Sequence, residues 1–327
     1  MDSMSKDKGK LPKIIVIFLL CIIVFVIFLV NNKKNQNVTS QGLDIKKYIG
    51  LSKSDYIKMT GKDITVAILD SGINQHDDIE NSRIIKFKDF VDYKHSYYDD
   101  YGHGTFVSGI IAANGKIKGI APEVNLVVLK VMDKDGNASS ENLLEALTWL
   151  VLNRNELEIN IVNLSLGIKL YNDERITQKI NLLIEDGVVV VVSAGNEGPH
   201  EGSILYPGTI PDTLTVGYVN NQSTYSIFDD TIALSSGKGL NKDNSCKPDL
   251  VTLGIEIKSL DYKKKNGYRI DSGSSYAAAI TSGVVALMLQ KDKGMKNKEI
   301  IDILIENAIR LDVDEQCAQG FGELYIK

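Results

Sequence analysis

The chain holds four histidines, at positions 76, 95, 103 and 200. His103 sits between glycines in GHGT, at what reads as the start of a helix, where an uncrowded imidazole could take a proton from a hydroxyl. The best-placed hydroxyl is that of Ser275, in DSGSSYAAAITSGVVALMLQ, where a small-residue turn runs into an almost wholly apolar helix. A serine becomes a nucleophile only with a base to activate it and a third group to hold that base. Asp70, at the carboxyl end of an apolar run, could be that third group. A buried carboxylate is costly unless hydrogen-bonded, and an imidazole N–H satisfies it while fixing the tautomer. Asn196, after another apolar run, carries a side-chain amide able to donate to a developing oxyanion. Each residue also has an ordinary alternative: a Ser cap on a core helix, a capping His, a turn Asp before Gly72, a turn Asn beside a Gly. His76 in NQHDD and His95 in YKHSYY read as surface-loop residues.

The elements that must position these groups alternate along the chain. Asp63–Leu69, Ile84–Val91, Asn125–Met132, Ile159–Leu164 and Val188–Val192 are β-branched apolar runs that read as buried strands. Helices are expected from Gly102 to about Ala113, over Ser139–Asn155, where Leu143, Leu144, Leu147, Leu150 and Val151 recur at helical spacing after a Ser cap, and over Glu174–Glu185. This alternation predicts an α/β fold with a mostly parallel sheet, helices on both faces, and ligands at the carboxyl ends of the strands. Beyond Thr213 the chain is richer in strand, at Thr213–Val219 and around Tyr268–Ile270, and closes with an amphipathic helix over Asn297–Ala308. One domain over residues 43–327 accommodates all of this.

Taken together, VAILDSGI, GHGTFVSGIIAA, KGIAP, NLSLG, VSAGNEG, YPGTIP, KPDLV, GSSYAAA and GFGELY, in this order, resemble the subtilisin-like serine proteases, the subtilase family. The resemblance runs from about Ile49 to the C-terminus and implies a three-layer fold and a serine endopeptidase acting on polypeptide. It implies that Asp70 orients, His103 is base then acid, Ser275 attacks, and Asn196 with the Ser275 N–H holds the oxyanion. It also implies that Ser165, Leu166, Gly167, Ala194, Gly195, Glu197 and Leu205 contact substrate. No cofactor is required for such chemistry. A catalytically silent peptide-binding protein on the same fold is the alternative. An α/β-hydrolase places its His last, and no His follows residue 200 here.

Several positions depart from the family pattern: Phe106 stands where a second His is usual, Tyr276 where Met is, Ala279 where Pro is, and Leu253 where Pro is. Between His103 and Pro122 the chain is shorter than in calcium-dependent relatives, so their tight calcium site is expected to be absent. Fewer than twenty residues separate Val30 from the mature-like start near Ile49, so no prodomain is expected. Leu205, where many relatives have Gly, is expected to make the pocket before the cleaved bond shallower, and Glu197 at its rim to tolerate a basic residue.

Ordinary globular composition, 43% hydrophobic and 24% charged, excludes a disordered or fibrous chain. A formal net charge of −5 argues against a nucleic-acid partner. Ile14 to Val30 is an uncharged apolar run of roughly 25 Å as a helix, the lower end of what spans a bilayer. With Lys6, Lys8, Lys10 and Lys13 before it, the positive-inside bias puts residues 1–13 in the cytoplasm, 14–30 in the membrane as a signal anchor, 31–42 as a linker, and the remainder outside the cell membrane. Cys21 lies in the apolar run; Cys246 and Cys317 are as readily two free thiols as a pair. The oligomeric state is not legible.

Overall fold

The segment TVAILD is buried along its whole length, as a strand covered on both faces must be. It is one of twelve strands among the residues that the computed structural model describes, 43–169, 172–240, 245–313 and 316–327. The expected cytoplasmic segment, membrane anchor and linker, 1–42, lie outside the described residues. Among the described residues no helix is long and apolar enough to cross a membrane. Asp44–Lys327 forms one compact unit.

After a short helix α1 (Ile45–Tyr48), the strands are β1 (Thr65–Asp70), β2 (Ile84–Asp89), β3 (Asn125–Lys130), β4 (Ile159–Leu164), β5 (Val189–Ser193), β6 (Leu214–Asn220) and β7 (Thr231–Ile232). Five short strands follow: β8 (Gly239–Leu240), β9 (Cys246–Lys247), β10 (Leu250–Leu253), β11 (Ile257–Leu260) and β12 (Tyr268–Asp271). The main sheet runs β10-β6-β5-β4-β1-β3-β2, parallel throughout, with β7 antiparallel on β6. The interleaved helices are α2 (His103–Ala112), α3 (Ser140–Asn153), α4 (Glu174–Glu185), α5 (Ser274–Lys291), α6 (Asn297–Asn307) and α7 (Gln316–Gln319). Side-chain caps set the starts of α3 and α4: the Ser139 hydroxyl accepts the Asn142 N–H, and the Asp173 carboxylate accepts the Arg175 N–H. Most of the expected elements form within one to three residues of their expected bounds. β7 to β11 were not foreseen, because strands of two to four residues carry no readable period.

Helix α5 is buried from Ser274 to Leu289 and packs on β4, β5, β6 and β10 on one side and on α2 on another. A helix apolar all round belongs in a core. Its small residues make this possible: a Cβ at Gly283 would strike Ile120. The other face of the sheet is closed by α3 and α4 through Leu143, Leu147, Leu150, Ile176, Ile180 and Leu183. Cys246 on β9 and Cys317 on α7 are joined in a disulfide with Cα atoms 4.8 Å apart, which resolves the two possibilities the sequence left open.

The first helix of the compact unit and the C-terminal segment meet at a buried polar contact. The Tyr48 hydroxyl donates to Glu323 Oε1 at 2.6 Å and also lies in hydrogen-bond contact with Asp230 Oδ2. Glu323 is fully buried and Asp230 nearly so, and Asp230 Oδ1 and Glu323 Oε2 have no partner. One hydroxyl proton cannot serve both contacts, so a carboxyl proton must be shared. Burial raises the Asp230 carboxyl to about 6, and burial with the charge of Asp230 raises Glu323 well above its usual range. Folded-state values above the unfolded ones mean a contribution fully present below about pH 4 and lost as pH rises through 6 and beyond. The melting temperature is therefore expected to fall by roughly 5 °C between pH 5 and pH 8, and Glu323→Gln to flatten that slope. Equal slopes for the two proteins in thermal melts would refute the shared proton.

Candidate active site

Asp70 ends β1 with its side chain fully buried and accepts the Ser71 N–H at 2.7 Å. His103 opens α2, and its Nδ1 lies 2.8 Å from Asp70 Oδ1 and 3.0 Å from Oδ2. A carboxylate only accepts, so the ring carries its proton on Nδ1 and leaves Nε2 free to act as a base. Gly104 lets the two elements come this close, since a Cβ there would strike the Gly72 carbonyl. Asp99 staples the loop before the helix to the end of β1. It accepts from Ser71 Oγ at 2.8 Å, Gly102 N at 2.6 Å, Thr105 N at 2.9 Å and Thr105 Oγ1 at 2.6 Å. Burial on its own would lower the His103 pKa, but the charge and hydrogen bond of Asp70 together outweigh it and hold the imidazole above its ordinary value.

Ser275 is the second residue of α5 and 8% exposed. Its Oγ donates to the Ser165 carbonyl at 3.0 Å, so the hydroxyl must release that carbonyl to engage an imidazole. Its backbone N–H lies in the first helical turn, where no carbonyl precedes it along the helix and the dipole favours negative charge. Asn196 Oδ1 accepts from Ser274 N at 3.0 Å and Ser274 Oγ at 3.1 Å, which fixes the amide and leaves the Nδ2 donors unused by either bond.

His103, Ser275, Asn196, Ser165, Leu166, Gly167, Gly195, Glu197 and Leu205 line one cleft of about 440 Å³ at the carboxyl ends of the strands. Asp70 lies behind His103. Ala194, expected to contact substrate, is not part of the wall. It is fully buried because its backbone still continues the sheet, its N–H on Val216 O at 2.9 Å and its carbonyl accepting Leu205 N at 3.1 Å. Leu205 fills the space between two backbone segments, since a Cβ on either Gly167 or Gly195 would strike it. Glu197 lies 3.4 Å from Lys169, both exposed, so its charge is already shared.

The cleft also contains residues that no motif announced. Arg269 and Asp271 reach it from β12, paired at 2.9 Å. The Tyr276 hydroxyl donates to Asp271 Oδ2 at 2.7 Å, its ring packs on Phe106 at 4.5 Å between centroids, and the Arg269 guanidinium covers Phe106 at 4.6 Å. Burial and the Asp271 carboxylate push the Tyr276 phenol well above its usual value, so it stays a donor. The two departures Phe106 and Tyr276 are thus one packing event beside His103, whose ring centroid is 5.7 Å from that of Tyr276. Read singly, neither signals the other.

At the loop after α2 the Asp78 carboxylate is held by donors of the loop itself and of β12. Asp78 Oδ1 accepts the Lys116 N–H and Oδ2 the Ile117 N–H and the Tyr268 hydroxyl, each at 2.9 Å. The Lys118 ammonium meanwhile occupies Asn114 Oδ1 at 2.7 Å. His76, read as a surface residue, is 3% exposed in this region. Its Nε2 lies 2.8 Å from Gly267 O, its Nδ1 accepts the Asp78 N–H at 3.1 Å, and the β11–β12 hairpin, which the sequence did not reveal in full, covers it.

Such a fold and cleft define a class, an α/β domain with the architecture of a subtilisin-like serine peptidase. The chain belongs to the Subtilase family, which matches residues 61–322. It is 35% identical over 289 residues to serine protease AprX of Bacillus subtilis (strain 168), covering 81% of this chain and 65% of that one. It is 29% identical over 275 residues to the membrane-bound transcription factor site-1 protease of Homo sapiens, covering 81% and 25%. The chain thus spans less than two thirds of the length of these relatives. Among solved structures, sphericase superposes with a TM-score of 0.74 at 26% identity, covering 86% of this chain and 97% of that one. A cold-adapted subtilisin-like serine proteinase gives 0.66 at 26%, covering 82% and 89%.

The His103 ring is expected to titrate above 6.5 in an NMR pH series. Asp70→Asn, which removes the charge and keeps the burial, is expected to bring it below that value; an unmoved titration would show that Asp70 does not set it.

Proposed function

We propose that the chain is a serine endopeptidase that hydrolyses peptide bonds through an acyl-enzyme on Ser275. The observation that carries this reading is the 2.8 Å contact of His103 with buried Asp70, in a cleft that Ser275 and Asn196 also line. His103 Nε2 takes the Ser275 proton as Oγ attacks the scissile carbonyl, while Asp70 holds the ring and stabilises the imidazolium. The oxyanion accepts from Asn196 Nδ2 and the Ser275 N–H, the second aligned with the α5 dipole. His103 then gives the proton to the leaving amine, and water repeats the sequence to release the acyl group. Side chains and backbone supply every step, and no cofactor enters.

Substrate is held extended, adding a strand along Ser165–Gly167. Leu205 leaves room before the cleaved bond for a small or medium side chain, and a basic one competes with Lys169 for Glu197. The apolar run 14–30 and its flanking lysines support a membrane-anchored enzyme facing out of the cytoplasm, suited to processing a secreted precursor.

In carbonate-washed membranes, a fluorophosphonate probe is expected to label the full-length wild type, with or without EDTA, and to spare Ser275→Ala. An unlabelled folded wild type would overturn the chemistry, and a chain found only in the wash would overturn the anchor. Cleavage sites present with wild type and absent with Ser275→Ala are expected to be few and to follow small or medium residues; widespread cleavage after aromatic residues would contradict both the pocket and the processing role.

A further inference from the structure

Beneath the cleft, a chain of four hydrogen bonds, three of them crossing between the segments, ties the end of β4 to the helix that carries Ser275. Ser282 Oγ donates to Asn163 Oδ1 at 2.9 Å, and Asn163 Nδ2 donates to Ser165 Oγ at 2.8 Å. Ser165 Oγ then donates to the Ser275 carbonyl at 2.9 Å, while Ser275 Oγ donates back to the Ser165 carbonyl at 3.0 Å. Asn163 and Ser282 are fully buried and Ser165 is 1% exposed. The proton order is forced. An amide nitrogen only donates and a carbonyl only accepts, so a Ser165 hydroxyl that has accepted from Asn163 must send its own proton to Ser275. Ser282 lies seven residues after Ser275, two turns on and on the same helix face, so α5 is held to β4 at two levels.

A buried polar chain of this kind costs desolvation that Val162 and Leu164, its apolar neighbours on the strand, do not incur. What it supplies is position. Of the two bonds between Ser165 and Ser275, the one from Ser275 Oγ must break when that hydroxyl turns to the base. The one from Ser165 Oγ to the Ser275 carbonyl can persist, and its direction is set by Asn163. We propose that Asn163 is a positioning residue that, acting through Ser165, holds the backbone of the nucleophile still while its hydroxyl turns. This rests on the serine-peptidase reading above.

The test is a double-mutant cycle on the full chain, with a chromogenic peptide carrying alanine before the cleaved bond and active sites counted by fluorophosphonate titration. Asn163→Ala and Ser165→Ala are each expected to lower kcat about tenfold per titrated site, the size of one net hydrogen bond, with KM within about twofold. The double variant is expected to lose no more than Ser165→Ala does alone. Asn163→Asp keeps the volume and, once ionised at alkaline pH, can only accept, pulling the Ser165 proton off Ser275, so it is expected there to lose kcat as Asn163→Ala does; it also serves if the alanine variant does not fold. Losses that multiply to about a hundredfold in the double variant would overturn the inference, as would unchanged kcat with a lowered melting temperature. A wild type that fails to react with the probe refutes the peptidase reading instead, a result separate from any difference among the variants.

Discussion

A carboxylate sealed inside a protein must find a partner, and the burial of Asp70 against His103 is the constraint around which this domain is arranged. It brings a helix start to a strand end, so Gly104 must lack a side chain and Asp99 must hold the intervening loop. Lys130 stands beside Asp70 in the sheet register and is itself fully buried, its ammonium spent on the Ser71 and Met132 carbonyls and on Asp100. The charges at this end of the sheet are thus met by fixed partners, and against the lowering effect of burial the imidazole is raised first by Asp70 and then by the charge of Asp99.

Helix α5 shows how one segment serves packing and chemistry together. Its burial on every side makes it the centre of the molecule, and that same burial immobilises Ser275 at its first turn. Small residues let it approach the sheet, and close approach lets Ser165 and Asn163 reach it with hydrogen bonds. Rigidity at the nucleophile is therefore a property of the core, and the cleft inherits it.

The departures from the family pattern acquire meaning in pairs. Phe106 and Tyr276 pack on one another beneath Arg269, and the Tyr276 hydroxyl is met by Asp271. The short loop after α2 closes on Asp78 through its own N–H groups. Tyr48, Asp230 and Glu323 likewise bring together three segments that are far apart in sequence. Except for Asp271, five positions before Tyr276, each partner lies more than thirty positions away, beyond any local pattern.

The sequence by itself determined the parallel α/β plan, because strand and helix periods are local and alternate clearly from Asp63 to Val192. It also singled out Asp70, His103, Asn196 and Ser275, because each stands beside small residues at the edge of an apolar run, the first and third after a strand and the other two at a helix start. Only the tertiary structure decided which side chains share a wall. It removed Ala194 from the cleft, added Arg269 and Asp271, buried His76 and paired Cys246 with Cys317. The physical reason is that these outcomes depend on short strands and on contacts between distant segments, whose geometry is set by packing rather than by the period of any one stretch.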